Sequence, residues 1–422
     1  MKKRVIAALL AASMCSTMIT GCGQTTSTND KAQTTDETGD NKNSTDLVKL
    51  TMWGDETDVP MLEKMIASFQ EEYKSEAKFK IEIIENPESE CRSNLLADLE
   101  GGPDVYSFVD AQLMAMVAAG ALEPVENPEK VKADCLEKSV EASTINGNIY
   151  CYPMTADNGC FMYYDKSVFS QEDIKTLDGM LAAAAAKEKK VTMDWTSGWY
   201  LYSFFGNTGL EVGLNDDGIS NYCTFNSTEG DIKGVDVANA LMAIAGNPGF
   251  MDGTDDALVA GMENGTVAAG ISGTWLAEKV EKALGKNYGA APLPTYTCGG
   301  KQVQMSSFSG YKLVGVNAYS KNKAWAEKLA QWITNEENQE LRFTERGHGP
   351  ANKKAAQSEA VASSVAIQAL LAQSENAKLQ KIGARYWDPM TAFGQAMAHQ
   401  NTGGLQLQDY LDQMVEKITE SY

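Results

Sequence analysis

Two kinds of side chain recur where a strand hands over to a loop: carboxylates, which accept hydrogen bonds from hydroxyl groups, and large aromatic rings, which offer flat apolar faces. Val48, Leu50 and Met52 alternate with their neighbours, which predicts a strand that ends at Trp53 and is followed by Asp55. Gly101-Gly102-Pro103-Asp104 introduces another strand that carries Phe108 and is followed by Asp110. Residues 149–154 and 160–164 read as two short aromatic-rich strands, and the polar segment between them holds Asp157 and ends in Asn158-Gly159. Residues 258–275 read as a helix, a turn and a buried strand that delivers Trp275 beside Gly273, where a ligand can come close to the backbone. Trp195, Trp199 and Tyr202 share one face at helical spacing, and Trp199 is the member best placed to meet a ligand.

Catalysis has less to draw on. His is the commonest acid-base residue near neutral pH, and the chain has only His348 and His399. No nucleophile elbow, HExxH, phosphate loop or dinucleotide fingerprint falls on a fitting strand-turn-helix, so no cofactor is expected. A glycosidase needs only two facing carboxylates, and the 57 acidic residues leave that option open. After Cys15 and Cys22, the remaining cysteines are Cys91, Cys135, Cys151, Cys160, Cys223 and Cys298, with no CxxC and no neighbouring His, which argues against zinc. They are expected either as buried free thiols or as disulfides, with Cys151 and Cys160 able to face each other.

The elements that must position these groups alternate. Leu62, Ile66, Phe69 and Tyr73 fall at helical spacing, Phe79, Ile81 and Ile83 alternate, residues 93–100 suit a helix, and residues 114–119 another. This β-α order specifies a parallel sheet flanked by helices, in which ligands gather at the carboxyl ends of strands. Residues 324–341 read as one amphipathic helix whose Trp325 and Trp332 are core. At 422 residues the chain implies two bodies rather than one small core. We read 149–166 as a crossover between them, with Asp157 at the mouth of the cleft. A net charge of −21 excludes a general nucleic-acid binder.

The start of the chain has a different character. Lys2, Lys3 and Arg4 precede a short apolar run, and Ile19-Thr20-Gly21-Cys22 matches the bacterial lipobox. A signal peptide over 1–21 and a lipid on Cys22 are expected, followed by a polar tether over 22–46 with an r.m.s. reach of about 25–30 Å. That places the protein on the outer face of the cell membrane.

Asn-Gly-Asn-Ile-Tyr-Cys-Tyr-Pro followed by Met-Tyr-Tyr-Asp-Lys resembles the first crossover of the extracellular solute-binding proteins of sugar importers. So do Leu50 to Trp53, Phe69, Gly102 to Val105, Leu122 to Pro124, the Met262 to Trp275 segment, Tyr288 to Pro294, the Ser- and Gly-rich run after Met305, and Gly347 to Asn352. The resemblance covers nearly all of 47–422. It implies a two-lobe periplasmic-binding-protein-like α/β fold of class II, each lobe a mainly parallel sheet flanked by helices and joined by hinge crossovers. Its lobes would comprise 47–155 with 305–355, and 156–304 with the C-terminal helices over 356–422. It also implies an acidic contact at Asp157, sugar-stacking rings at Trp53, Phe108, Trp275 and Trp387, and a polar contact at Tyr311. The function implied is capture of an oligosaccharide, malto-oligosaccharides first, for the permease subunits of an ABC importer by a lipid-anchored monomer. A different oligosaccharide or a surface glycoside hydrolase is the alternative.

Overall fold

The computed structural model describes residues 47–215 and 217–420. The leader, the lipidated Cys22 and the tether expected over 1–46 lie outside these residues.

The first predicted strand forms as Leu47–Gly54, and its alternating burial follows the alternating sequence. Helix Val59–Glu72 then buries Met61, Leu62, Met65, Ile66 and Phe69 against it. Gly54 lets Leu62 pack close to the strand, because a Cβ there would lie 2.5 Å from Leu62 Cδ1 and the leucine would have to shift. Strand Lys78–Glu85 pairs in parallel with Leu47–Gly54 at the sheet edge, which explains why its inward residues are only half buried. Strand Val105–Val109 pairs on the other side, also in parallel.

The chain leaves this sheet along Tyr152–Gly159 and enters a second one as Phe161–Asp165. The second sheet has the order Phe250–Asp252, Lys190–Met193, Val267–Ser272, Phe161–Asp165 and Tyr288–Ala291. Ser307–Val316 carries the chain back, lying antiparallel to both Val105–Val109 and Tyr152–Gly159 and parallel to Ala377–Leu379. Each sheet is therefore parallel where βα units build it and antiparallel where a crossover strand enters. The result is a two-lobe α/β fold.

Three local expectations change, and the alternative left open for the cysteines is decided. The two short strands expected over 149–164 are one long strand, Tyr152–Gly159, and its successor, so Asp157 sits on the crossover strand itself and not in a turn. Trp195 precedes helix Gly198–Phe205 and is fully buried in the second core, because the helix begins only after Ser197. The single helix expected over 324–341 is two, Lys323–Ile333 and Glu336–Arg346. Asn335 breaks them by accepting the amide of Asn338 with its side chain. The six cysteines at 91, 135, 151, 160, 223 and 298 are unpaired. Cys151 packs with Tyr106 and Phe108 in one core and Cys160 with Met162 and Trp195 in another, so the strand that joins them also keeps them apart.

Candidate ligand-binding cleft

The crossover strands build the site by an irregularity in their pairing. Gly310 pairs with Asn158, but Lys312 pairs with Thr155, so Ala156 and Asp157 together stand opposite the single residue Tyr311. This extra residue is a β-bulge, a device that re-aims side chains. The chain after helix Glu336–Arg346 fits into it: Gly347 ends the helix in the left-handed conformation, and Ala156 N–H donates to Gly349 O at 2.8 Å.

A cavity of about 370 Å³ opens at this point. Four of the nine residues expected to bind ligand share its wall, namely Asp110, Asp157, Trp275 and Tyr311, joined by Asn158, Thr274, Lys312 and His348. Asp157 is almost wholly buried, and Thr274 Oγ1 donates to its backbone carbonyl at 3.3 Å, linking the bulge to the loop before Trp275. Burial pushes Asp110 up to about 7 although the amides of Tyr311 and Ala111 and the charge of Lys381 pull the other way. Burial likewise pushes the Tyr311 phenol up to about 12, so it remains a neutral hydroxyl. His348 is held below the ordinary histidine range by burial, and its Nδ1 has no hydrogen-bond partner in the structure.

Trp275 is 47 % exposed, unusual for so large a ring. It is fixed all the same. Its Nε1 donates to Asp255 Oδ2 at 2.7 Å, and the other oxygen of Asp255 accepts from Ser272 Oγ at 2.8 Å and Tyr200 Oη at 3.1 Å. Gly273 makes room for the ring, since a Cβ there would meet its carbons at 2.0 Å. The space beside the glycine that we expected for a ligand is taken by the tryptophan itself. Trp199 extends the aromatic surface, with ring centroids 5.8 Å from Trp275 and its Nε1 donating to Gln380 at 2.9 Å.

The remaining expected residues stand apart from this cavity. Phe108 is a correction: it is fully buried beside Tyr106 in the first-lobe core, because the strand's period of two turns both rings inward together. Trp53 is half buried against the same core. Asp55 caps the next turn, accepting from Thr57 N at 3.1 Å and Thr57 Oγ1 at 2.7 Å. Trp387 opens helix Trp387–Ala398 and packs edge-on to Tyr386 at 5.0 Å.

Sequence reasoning missed Asp255, Lys312 and His348. Asp255 carries no local signal, lying 20 residues before the ring it holds. Lys312 did carry one: it is the only charged residue in Ser307–Val316.

A sequence profile of bacterial extracellular solute-binding proteins matches residues 64–369. The galactooligosaccharide-binding protein of Bacillus subtilis (strain 168) is 26% identical over 80% of this chain and 81% of its own length. The maltooligosaccharide ABC transporter solute-binding lipoprotein of Streptococcus pneumoniae serotype 4 is 25% identical over 83% of this chain and 81% of its own. Among solved structures, the maltodextrin binding protein MalE1 from L. casei BL23, without ligand, superposes with a TM-score of 0.75 at 26% identity, covering 89% of this chain and 99% of that one. Two lobes joined by crossover strands, with a polar and aromatic cavity at the joint, define a protein that captures a solute. The chain belongs to the bacterial extracellular solute-binding proteins.

Proposed function

We propose that the chain is the substrate-binding lipoprotein of an ABC sugar importer, taking an oligosaccharide, malto-oligosaccharides first, into the cleft and delivering it to the permease subunits. The observation that carries this reading is the single cavity in which Asp110, Asp157 and Tyr311 meet the exposed ring of Trp275. A pyranose ring has apolar C–H faces that suit the indole and hydroxyls that suit the carboxylates. The printed functions of the relatives, maltooligosaccharide and galactooligosaccharide binding, support the same ligand class.

Closure about the crossover strands would sequester the sugar and present a shape for the permease to recognise. In this reading Cys22 bears the lipid that holds the protein at the outer face of the membrane, and Trp53, Asp55 and Trp387 form the outer parts of the site, approached by longer glycans.

One observation favours a second reading. Asp110, poised at about 7, and Asp157 share the cavity, and a pair of carboxyls in one cleft is what a glycosidase uses. Binding is preferred because the relatives' functions are binding functions.

Tryptophan-fluorescence titration with maltotriose tests the site. The wild type should saturate, and Trp275→Ala should weaken affinity by at least about tenfold, as loss of a central aromatic contact does. Unchanged affinity in the variant would remove Trp275 from the site.

A further inference from the structure

Strand Ser307–Val316 is buried along nearly its whole length, and Lys312 is its one charge. An ammonium is costly to place there without a partner. Its partner is Glu88, whose Oε2 lies 2.7 Å from Lys312 Nζ and whose side chain is 6 % exposed. Glu88 is itself anchored. Gln112 Nε2 donates to the Glu88 carbonyl at 3.0 Å and to the Ser89 carbonyl at 2.8 Å, while Gln112 Oε1 accepts the Arg92 amide at 2.9 Å. The second carboxylate oxygen of Glu88 is buried with no hydrogen-bond partner in the structure.

Such a pair could serve only to fill the interior, but its position argues otherwise. The Lys312 side chain is 27 % exposed and lines the cavity with Asp157, Tyr311 and Trp275. Of its three N–H donors, the Glu88 contact uses one. The bulge places Asp157 on the strand beside it, one register step away. A donor that cannot accept and a carboxylate that does not donate therefore stand together at the floor of the cleft. Two adjacent hydroxyls answer both, one accepting from the ammonium and one donating to the carboxylate. An anionic ligand would meet Asp157 and Glu88, and a cationic one would meet Lys312.

We propose that Lys312 is a ligand-binding residue that donates to a hydroxyl of a neutral polyhydroxylated ligand, and that Glu88 is the positioning residue that holds it. This inference rests on the reading of the cleft as a sugar site. It adds to that reading a requirement for a neutral ligand with adjacent hydroxyls.

The test is calorimetric titration of the purified full-length chain with maltotriose and with trigalacturonate. The wild type is expected to bind the first and not the second. Lys312→Met should weaken maltotriose binding about tenfold to a hundredfold, the range for a lost charge-assisted hydrogen bond. Glu88→Gln should weaken it less and should have no further effect in the Lys312→Met background, because it acts through the lysine. It should also lower the titration midpoint of the Lys312 ammonium followed by carbon NMR of labelled lysine, which a merely space-filling glutamate would not do.

If Lys312→Met fails to fold, the double variant, which removes both charges, carries the comparison with Glu88→Gln. Wild-type affinity in Lys312→Met or in the double variant, additive losses, or tighter binding of trigalacturonate would overturn the proposal. A wild type that binds no glycan at all would instead overturn the sugar reading, and this proposal with it.

Discussion

In the proposed site, Asp110 is a residue that costs the fold stability. An unperturbed aspartate titrates near about 3.9, whereas burial pushes Asp110 up to about 7. Between those values the folded protein holds a proton that the unfolded chain has released. Stability therefore falls as pH rises through that window, and the full cost is present above it. We predict that Asp110→Asn raises stability at pH 8 by about 1–3 kcal/mol and changes it little at pH 4, measured by urea unfolding, while weakening sugar binding. An Asp110→Asn protein less stable than the wild type at pH 8 would contradict the burial argument. Trp275, Asp110 and Asp157 were legible in the sequence because each follows or interrupts a recognisable strand. Phe108 was misread because alternation says that two rings share a face without saying which face is inside. Asp255 was invisible because it acts across the fold, not along the chain.

At the scale of elements, the cleft depends on how the helix Glu336–Arg346 is docked, since its end leads directly to His348. Asp58, in the turn Glu56–Asp58 after the first strand, is 3 % exposed. It is paired with Arg342 and, at 2.9 Å, with Arg346 Nε. Burial alone would raise Asp58, but the charge and hydrogen bond of Arg342 outweigh it and hold the carboxyl below the ordinary range. Arg342→Met leaves that buried carboxylate with the partly exposed Arg346 alone, and we predict a loss of about 2–4 kcal/mol at pH 7 in chemical unfolding. Because the carboxyl is depressed, the stabilisation is present above the unfolded value and is lost as pH falls through the folded one, so the variant and the wild type should converge in acid. A loss that is independent of pH would contradict the assignment. The strands and helices were legible from periodicity, and so was the crossover. The bulge was not, because nothing in Tyr-Pro-Met-Thr-Ala-Asp-Asn-Gly marks one extra residue, and the Asn335 break was hidden by an apolar stripe that continues across it.

For the whole molecule, two lobes with separate cores are joined by strands too well paired to need a covalent brace. Cys151 and Cys160 lie at either end of the outgoing crossover, in different cores. Burial pushes the thiols of Cys91, Cys135, Cys160 and Cys223 up to about 12. These groups are thiols and not thiolates at neutral pH, so they react slowly. We predict that reductant leaves the melting temperature unchanged and that a disulfide reagent modifies the buried Cys91, Cys135 and Cys160 only after unfolding. Rapid native-state labelling of Cys160 would contradict this packing. The two-lobe plan was legible because each motif falls in order along the chain. The cleft's polar floor was less so, since Glu88 and Lys312 come together from residues 224 apart in sequence.

The measurement that bears most directly on the central claim is calorimetric titration of the protein with maltose, maltotriose and longer malto-oligosaccharides, followed by chromatography of the recovered sugar. A protein that captures solute for transport should bind with a one-to-one stoichiometry and return every oligosaccharide at its original length. Shortened products would identify a hydrolase, and an absence of heat with every glycan would contradict the sugar-binding account.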